Sequence, residues 1–356
     1  MSYCNLVHRL YSIFFYRRRR KVMLYNMMEL LEVADKNNFA IPAFNVSDFA
    51  MFNGIMDVSE RMCAPVICEI HPNELKHIGT DFIKGMISRA EASPLPVVIH
   101  LDHGATLANC MVAIRAGFTS VMIDASALPF EENVARTKQV VDLAHSAITY
   151  TKVTDDSDPR KTEDLKDRCD WHYAPSYHAM NVSVEAELGT IGVINEAEGT
   201  VDMAHIKYTN PDDAVRFAQE TGVDCLAIAI GTCHGAYPHG QQPDLKIDVL
   251  KAIKKAFVEN GIKTKLVLHG GSGNKVELLK EAARSGINKI NISTDIKFAY
   301  YNKMYEILNA DYDPEKKALK TLREPNAIQP ECIKALEEVA AERIDWFGAA
   351  GKAKLY

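Results

Sequence analysis

The chain has 356 residues, 47% hydrophobic and 25% charged, with a formal net charge of −6. That length fits two average domains or one large α/β barrel. No run of 18 apolar residues is present, which argues against a membrane span, and the acidic balance argues against a general nucleic-acid binder. The eight cysteines are scattered without a C-x-x-C pair, which suits a reducing cytoplasm better than a disulfide scaffold.

The first predicted feature is an N-terminal extension, residues 1–26. "YSIFFYRRRRKVM" places Arg17–Lys21 after a short apolar run, the reverse of a secretory signal. A purine-rich ribosome-binding site read in frame yields consecutive arginines, and Met23, Met27 and Met28 are alternative starts. We therefore expect this extension to be non-native or disordered.

Eight strand-like runs follow, beginning at Phe39, Pro65, Pro96, Thr119, Val182, Asp224, Lys265 and Ile287. Amphipathic helical patterns such as "NCMVAIRAGF" and "DDAVRFAQETG" alternate with them, with glycine stops at Gly117, Gly222 and Gly286. Eight such units over residues 27–310 predict a (β/α)₈ TIM barrel. A doubly wound sheet would want a Gly-rich turn after the first strand, and "AFNVSDF" has none. About 30 residues near 148–180 exceed a normal helix-to-strand link and read as an insertion at the N-terminal face. Cys169, His172 and His178 within it are irregularly spaced and read as a surface excursion. Residues 311–356, including "DPEKKALKTL", read as a C-terminal helical extension packed on the barrel or against a second subunit. Cys63, Cys68, Cys225 and Cys233 read as buried filler. His145, His205 and His239 read as surface.

Polar residues collect at the strand ends, which converge on one mouth in a barrel. Asn45, His71, Asp102, His103, Asp124, Glu185, Glu187, His234, His269 and Asn291–Thr294 all stand there. "VVIHLDHG" is the clearest case. A strand buried enough to be Val- and Ile-rich finishes in Asp102 and His103, which must meet solvent or a partner. Imidazoles from separate strands, His103, His234 and His269, suit Zn²⁺ with a position left open. His100 lies two residues below Asp102 on the same face and reads as packing or support. Gly235, Gly270 and Gly271 let backbone N–H groups approach an anion, and Ser272 adds a hydroxyl, at the usual barrel phosphate site. A metal beside a phosphate site, with Asp102 adjacent, points to chemistry on a phosphorylated carbonyl.

"HLDHG", "VEAELGTIG", "GTCHGAY", "LHGGSG" and "KINISTD" stand in the order seen in class II, metal-dependent ketose-bisphosphate aldolases, and from about Met27 to Ala310 the chain resembles that family. The resemblance implies a carbon–carbon lyase of glycolysis that splits fructose 1,6-bisphosphate reversibly into dihydroxyacetone phosphate and glyceraldehyde 3-phosphate. It implies zinc on His103, His234 and His269, with Asp102 exchanging the C4 hydroxyl proton. Asp124 and Glu187 match a second or displaced divalent-metal position. Gly235, Gly270–Ser272 and Asn291–Thr294 match the dihydroxyacetone phosphate contacts, near which a monovalent cation sits. It also implies a homodimer or homotetramer in the cytoplasm.

Three departures bear on the sugar. His71 stands where many relatives have serine, and Ser293 where fructose-specific relatives have Asp. The loop glutamates expected after strand five align with Ile194 and Asn195, which leaves Glu196 and Glu198 as candidates for the base. Lys289 reads as structural. Tagatose bisphosphate, another phosphoketose, and a phosphosugar-binding protein without turnover are the alternatives. A barrel hydrolase would carry an H-x-H pair at strand one, and "IPAFNVSD" lacks it.

Overall fold

A computed structural model describes residues 23–153, 176–195, 200–202, 206–235, 237, 244–321 and 323–356. Eight parallel strands close a barrel: β1 (Ile41–Asn45), β2 (Val66–Ile70), β3 (Val97–Gly104), β4 (Ser120–Ile123), β5 (Ser183–Leu188), β6 (Cys225–Ile228), β7 (Lys265–Leu268) and β8 (Ile287–Ile292). Around the barrel the order is β1-β8-β7-β6-β5-β4-β3-β2. The strands are buried along nearly their whole length because helices cover the outer face and side chains fill the inner one. The architecture is the predicted (β/α)₈ barrel.

Eleven helices among the described residues surround it: α1 (Met27–Lys36), α2 (Phe49–Met62), α3 (Pro72–Ile78), α4 (Thr80–Ala92), α5 (Leu107–Ala116), α6 (Phe130–Ser146), α7 (Pro211–Thr221), α8 (Ile247–Glu259), α9 (Val276–Arg284), α10 (Thr294–Ala310) and α11 (Pro325–Trp346). Local chemistry sets many of their ends. Asp48 and Thr106 accept N–H bonds at the starts of α2 and α5, and Asn210 does so before Pro211. Gly117 and Gly222 take the left-handed C-cap that stops α5 and α7. α11 lies on α10 and α2 through Cys332, Leu336, Ala340 and Ile344, spaced four apart on one buried face.

Several expectations need correction. The extension does not reach residue 26. Leu24, Tyr25 and Asn26 are buried, and Tyr25 N donates to Val97 O at 2.8 Å, so the barrel floor begins there. Residues 1–22 lie outside the described residues. "DPEKKALKTL" is no helix: Tyr312–Asp313 and Ala318–Leu319 pair antiparallel, with a turn between them. Cys63 is exposed because it caps α2 in the left-handed conformation (φ 50°). His145 is half-buried and its Nε2 meets Asp224 at 2.8 Å. His178 is buried against Glu29 of α1, Nε2 to Oε1 2.9 Å.

Ile148–Val153 and Ser176–Asn181 pair antiparallel just before β5. Asn26 Nδ2 donates to Asn181 O, which fixes this ladder to the N-terminal end of the barrel. Cys169, His172, His205 and His239 lie outside the described residues.

Candidate active site

The C-terminal strand ends open into a cavity of about 910 Å³. Its sharpest local feature is the end of β3. Neighbouring residues on a regular strand point to opposite faces. Here the pairing with β4 shifts register between Leu101 and Gly104, and His103 takes a left-handed φ of 49°. Such a bulge re-aims side chains, at a cost of about 1–3 kcal/mol for the strained residue. Asp102 and His103 consequently both line the cavity.

Three predicted residues meet at this point. Nitrogen and oxygen atoms of Asp102, His103 and His269 lie within 4.8 Å of one another, and so do those of His103, Asp124 and Glu187. The His103 and His269 rings are 4.8 Å apart, edge to face. Each is steadied by acids: His103 Nδ1 with Asp124 Oδ2 at 2.8 Å, His269 Nδ1 with Glu187 Oε2 at 2.8 Å and Nε2 with Glu185 Oε1 at 2.8 Å. Asp124 in turn accepts from Ser126 N and Oγ.

The electrostatics follow. Burial works against charging His103, but the nearby Asp102 charge and the Asp124 hydrogen bond prevail and push it up to about 9. Burial likewise opposes charging His269, and its bonds to Glu185 and Glu187 raise it to about 10. His103, which lines the cavity, and the buried His269 in ring contact with it, each bonded to carboxylates, form a donor set that suits a divalent cation. Cys233–His234 pairs with Gly192–Val193, and Cys233 and Gly235, on either side of His234, line the cavity; the His234 side chain lies outside the described residues.

Asp102 is held through both of its oxygens. Asn45 Nδ2 donates to Oδ2 at 2.8 Å and Asn291 Nδ2 to Oδ1 at 3.2 Å. Burial would raise its carboxyl, but the charges of His103, His269 and Lys289 and the Asn45 bond hold it far below the usual carboxylate range. It stands as a ready anion.

Gly235, Gly270, Ser272, Ser293 and Thr294 also line the cavity. Gly270 sits at φ 61°, and a Cβ there would lie 2.5 Å from Cys233 O, so no larger residue fits between the β7 end and the His234 segment. The expectation for Gly271 needs correction. Its N–H donates to Asn291 O at 3.0 Å and is not offered to an anion. Close packing explains this glycine instead, since a Cβ would meet Ile290 at 2.6 Å and Asn291 O at 2.7 Å.

His71 lines the cavity while capping α3: its Nδ1 accepts from Asn73 N and Glu74 accepts from His71 N. Glu196 and Glu198 lie outside the described residues. Sequence reasoning missed Ser47, Glu74, Lys297 and Tyr301, which also line the cavity. Ser47 of the β1–α2 turn and Lys297 of α10 both donate to Glu74 of α3. The available signal was spacing: Lys297 stands one turn after Thr294, and Glu74 one turn after His71.

A profile of the family described as fructose-bisphosphate aldolase class-II matches residues 25–151 and 171–352. The chain is 33% identical over 348 residues to the fructose-bisphosphate aldolase of Helicobacter pylori (strain ATCC 700392 / 26695), covering 93% of this chain and 100% of the relative. It is 32% identical over 355 residues to that of Thermus caldophilus, with the same coverage. The crystal structure of the YdjI aldolase from Escherichia coli K12 superposes with a TM-score of 0.70 at 32% identity, covering 93% of this chain and 100% of that one. By profile, by relatives and by fold, the chain belongs to the class-II fructose-bisphosphate aldolase family.

Proposed function

We propose that this aldolase cleaves and forms the C3–C4 bond of a ketose 1,6-bisphosphate, with fructose 1,6-bisphosphate as substrate. Dihydroxyacetone phosphate and glyceraldehyde 3-phosphate are the products. The observation that carries the reading is the clustering of the Asp102 carboxylate and His103, both lining the cavity, with the buried His269. The ion proposed is Zn²⁺, held by His103, His234 and His269, with Asp124 and Glu187 beside it as a second divalent position. A bound divalent cation supplies Lewis-acid polarisation of the substrate ketone.

The chain's own residues do the proton work. In cleavage Asp102 takes the C4 hydroxyl proton, the C4 carbonyl forms, and the C3–C4 electron pair moves to C3 and the C2 carbonyl. A proton then returns to C3, with Glu196 or Glu198 as its proposed donor. In synthesis each transfer reverses. Asn45 and Asn291 aim the Asp102 carboxylate. Gly235, Gly270, Ser272, Asn291, Ser293 and Thr294 are proposed to cradle the dihydroxyacetone phosphate end, with a monovalent cation near its phosphate, and Asn45 and His71 to be further substrate or phosphate contacts. We further propose a cytoplasmic homodimer or homotetramer. No helix among the described residues is long and apolar enough to cross a membrane.

A lysine Schiff base is disfavoured by geometry. Lys289, the lysine of β8, is fully buried between two carboxylates that keep it an ammonium ion. A nucleophilic amine must be neutral and reach the substrate. The test is cleavage of fructose, tagatose and sedoheptulose bisphosphates with and without EDTA, and with borohydride. Loss of activity on chelation and survival of borohydride are expected. Activity that survives EDTA overturns the reading.

A further inference from the structure

Directly beneath the cavity wall, four ionisable residues from four strands are sealed in the barrel. Glu69 (β2), His100 (β3), Glu185 (β5) and Lys289 (β8) are all 0% exposed. Lys289 Nζ lies 2.9 and 2.8 Å from the two oxygens of Glu185 and 2.7 Å from Glu69 Oε1. The same Glu185 Oε1 takes His269 Nε2 at 2.8 Å. His100 Nδ1 is spent on Ser120 Oγ, and its Nε2 stands 3.7 Å from Glu185.

Burying two acids around one ammonium has no stability advantage over a well-packed apolar filling. A geometric duty accounts for the arrangement better. Because both oxygens of Glu185 are clamped by one ammonium, its carboxylate plane is set. That plane fixes which edge of the His269 ring meets Glu185 and leaves Nδ1 on the side of Glu187, a cavity-lining residue.

We infer that Lys289 is a positioning residue for the metal centre: by clamping Glu185 it holds His269 by Nε2 and turns Nδ1 toward the cavity as the coordinating atom. The inference rests on the metal-binding reading above. Metal-ligating histidines depend on the partner of their second nitrogen, and losing such a partner typically lowers metal affinity about 10- to 100-fold. Glu69 is the dispensable member. It meets Lys289 Nζ at 2.7 Å, but the carboxylates that hold the His269 ring are Glu185 and Glu187. Neither of its oxygens makes a well-directed hydrogen bond.

The experiment compares Lys289→Met, Glu185→Gln and Glu69→Gln with the wild type. Zinc affinity is read by chelator competition, the visible spectrum after cobalt loading reports ligand geometry, and ¹⁵N-histidine spectra are taken without metal. Lys289→Met and Glu185→Gln are expected to bind zinc about 10- to 100-fold more weakly. They should also change the cobalt spectrum and lose the protected His269 Nε2–H signal. Glu69→Gln should match the wild type in all three. If Lys289→Met does not fold, Glu185→Gln carries the test alone. A folded Glu185→Gln with wild-type zinc affinity and spectra overturns the positioning role. So does a Glu69→Gln loss as large as that of Lys289→Met, which marks general core damage. A wild type that binds no zinc fails the metal reading itself, and the metal-free histidine spectra tell that failure apart.

Discussion

The Asn45 amide at the end of β1 donates to the Asp102 carboxylate at the end of β3, at 2.8 Å, across the intervening strand β2. Asn291 approaches the other oxygen from β8. An acid with one oxygen held by each of two amides is an oriented base. Replacing Asp102 by Asn keeps the shape and removes the proton acceptor. We predict a fall in kcat of about 10²- to 10⁴-fold, with zinc content retained, measured by coupled assay and metal analysis. Near-normal turnover would assign the proton transfer elsewhere.

The metal-free site predicts a pH dependence. His103 and His269 are raised to about 9 and about 10, above the ordinary imidazole value of 6.5. Their ion pairs therefore stabilise the metal-free protein fully below about pH 6.5, and this contribution is lost as pH rises through about 9 to 10. A metal ion must displace the same protons. Zinc affinity is expected to climb with pH across that window, by about tenfold per unit for each proton released. Chelator competition at stepped pH measures it, and a flat profile counts against imidazole ligands.

Gly270→Ala tests the close approach at the β7 end. A methyl group would press on Cys233 O at 2.5 Å, at a backbone φ of 61°. We expect a loss of at least about 1 kcal/mol in chemical denaturation and weaker zinc binding, because the displaced backbone belongs to the His234 segment. Gly222→Ala, where nothing lies within 4 Å of an added Cβ, is the comparison and should leave zinc binding unchanged.

Leu336→Ala tests how α11 is held. Leu336 is fully buried and reaches the Gly54 position of α2. The cavity should cost about 2–5 kcal/mol in urea unfolding while kcat stays within error. A loss below about 0.5 kcal/mol would mean a loosely docked helix.

Much of this protein is legible in its residues. Local rules mark the strands and helix ends: aliphatic runs of buried length, and glycines as stops. A barrel then brings every C-terminal strand end to one mouth, so Asp102, His103, Asp124, Glu187 and Asn291 could be assigned to one cavity from order alone. What no local rule supplies is direction. Periodicity of two would send Asp102 and His103 to opposite faces, and the bulge at Leu101–Gly104 reverses that. The glycine pattern suggested N–H donors, yet Gly271 spends its N–H on Asn291. Ser47, Glu74 and Lys297 are ordinary polar residues until the barrel brings the β1–α2 turn and the starts of α3 and α10 to one rim, where Glu74 bonds the other two. Lys289 is an ordinary strand lysine until closure of the barrel encloses it with Glu69 and Glu185. Spacing along the chain decides which elements form, through short-range sterics and hydrogen bonds. Which side chains share a buried charge or an ion is decided by contacts between strands far apart in sequence, and only the closed barrel sets those.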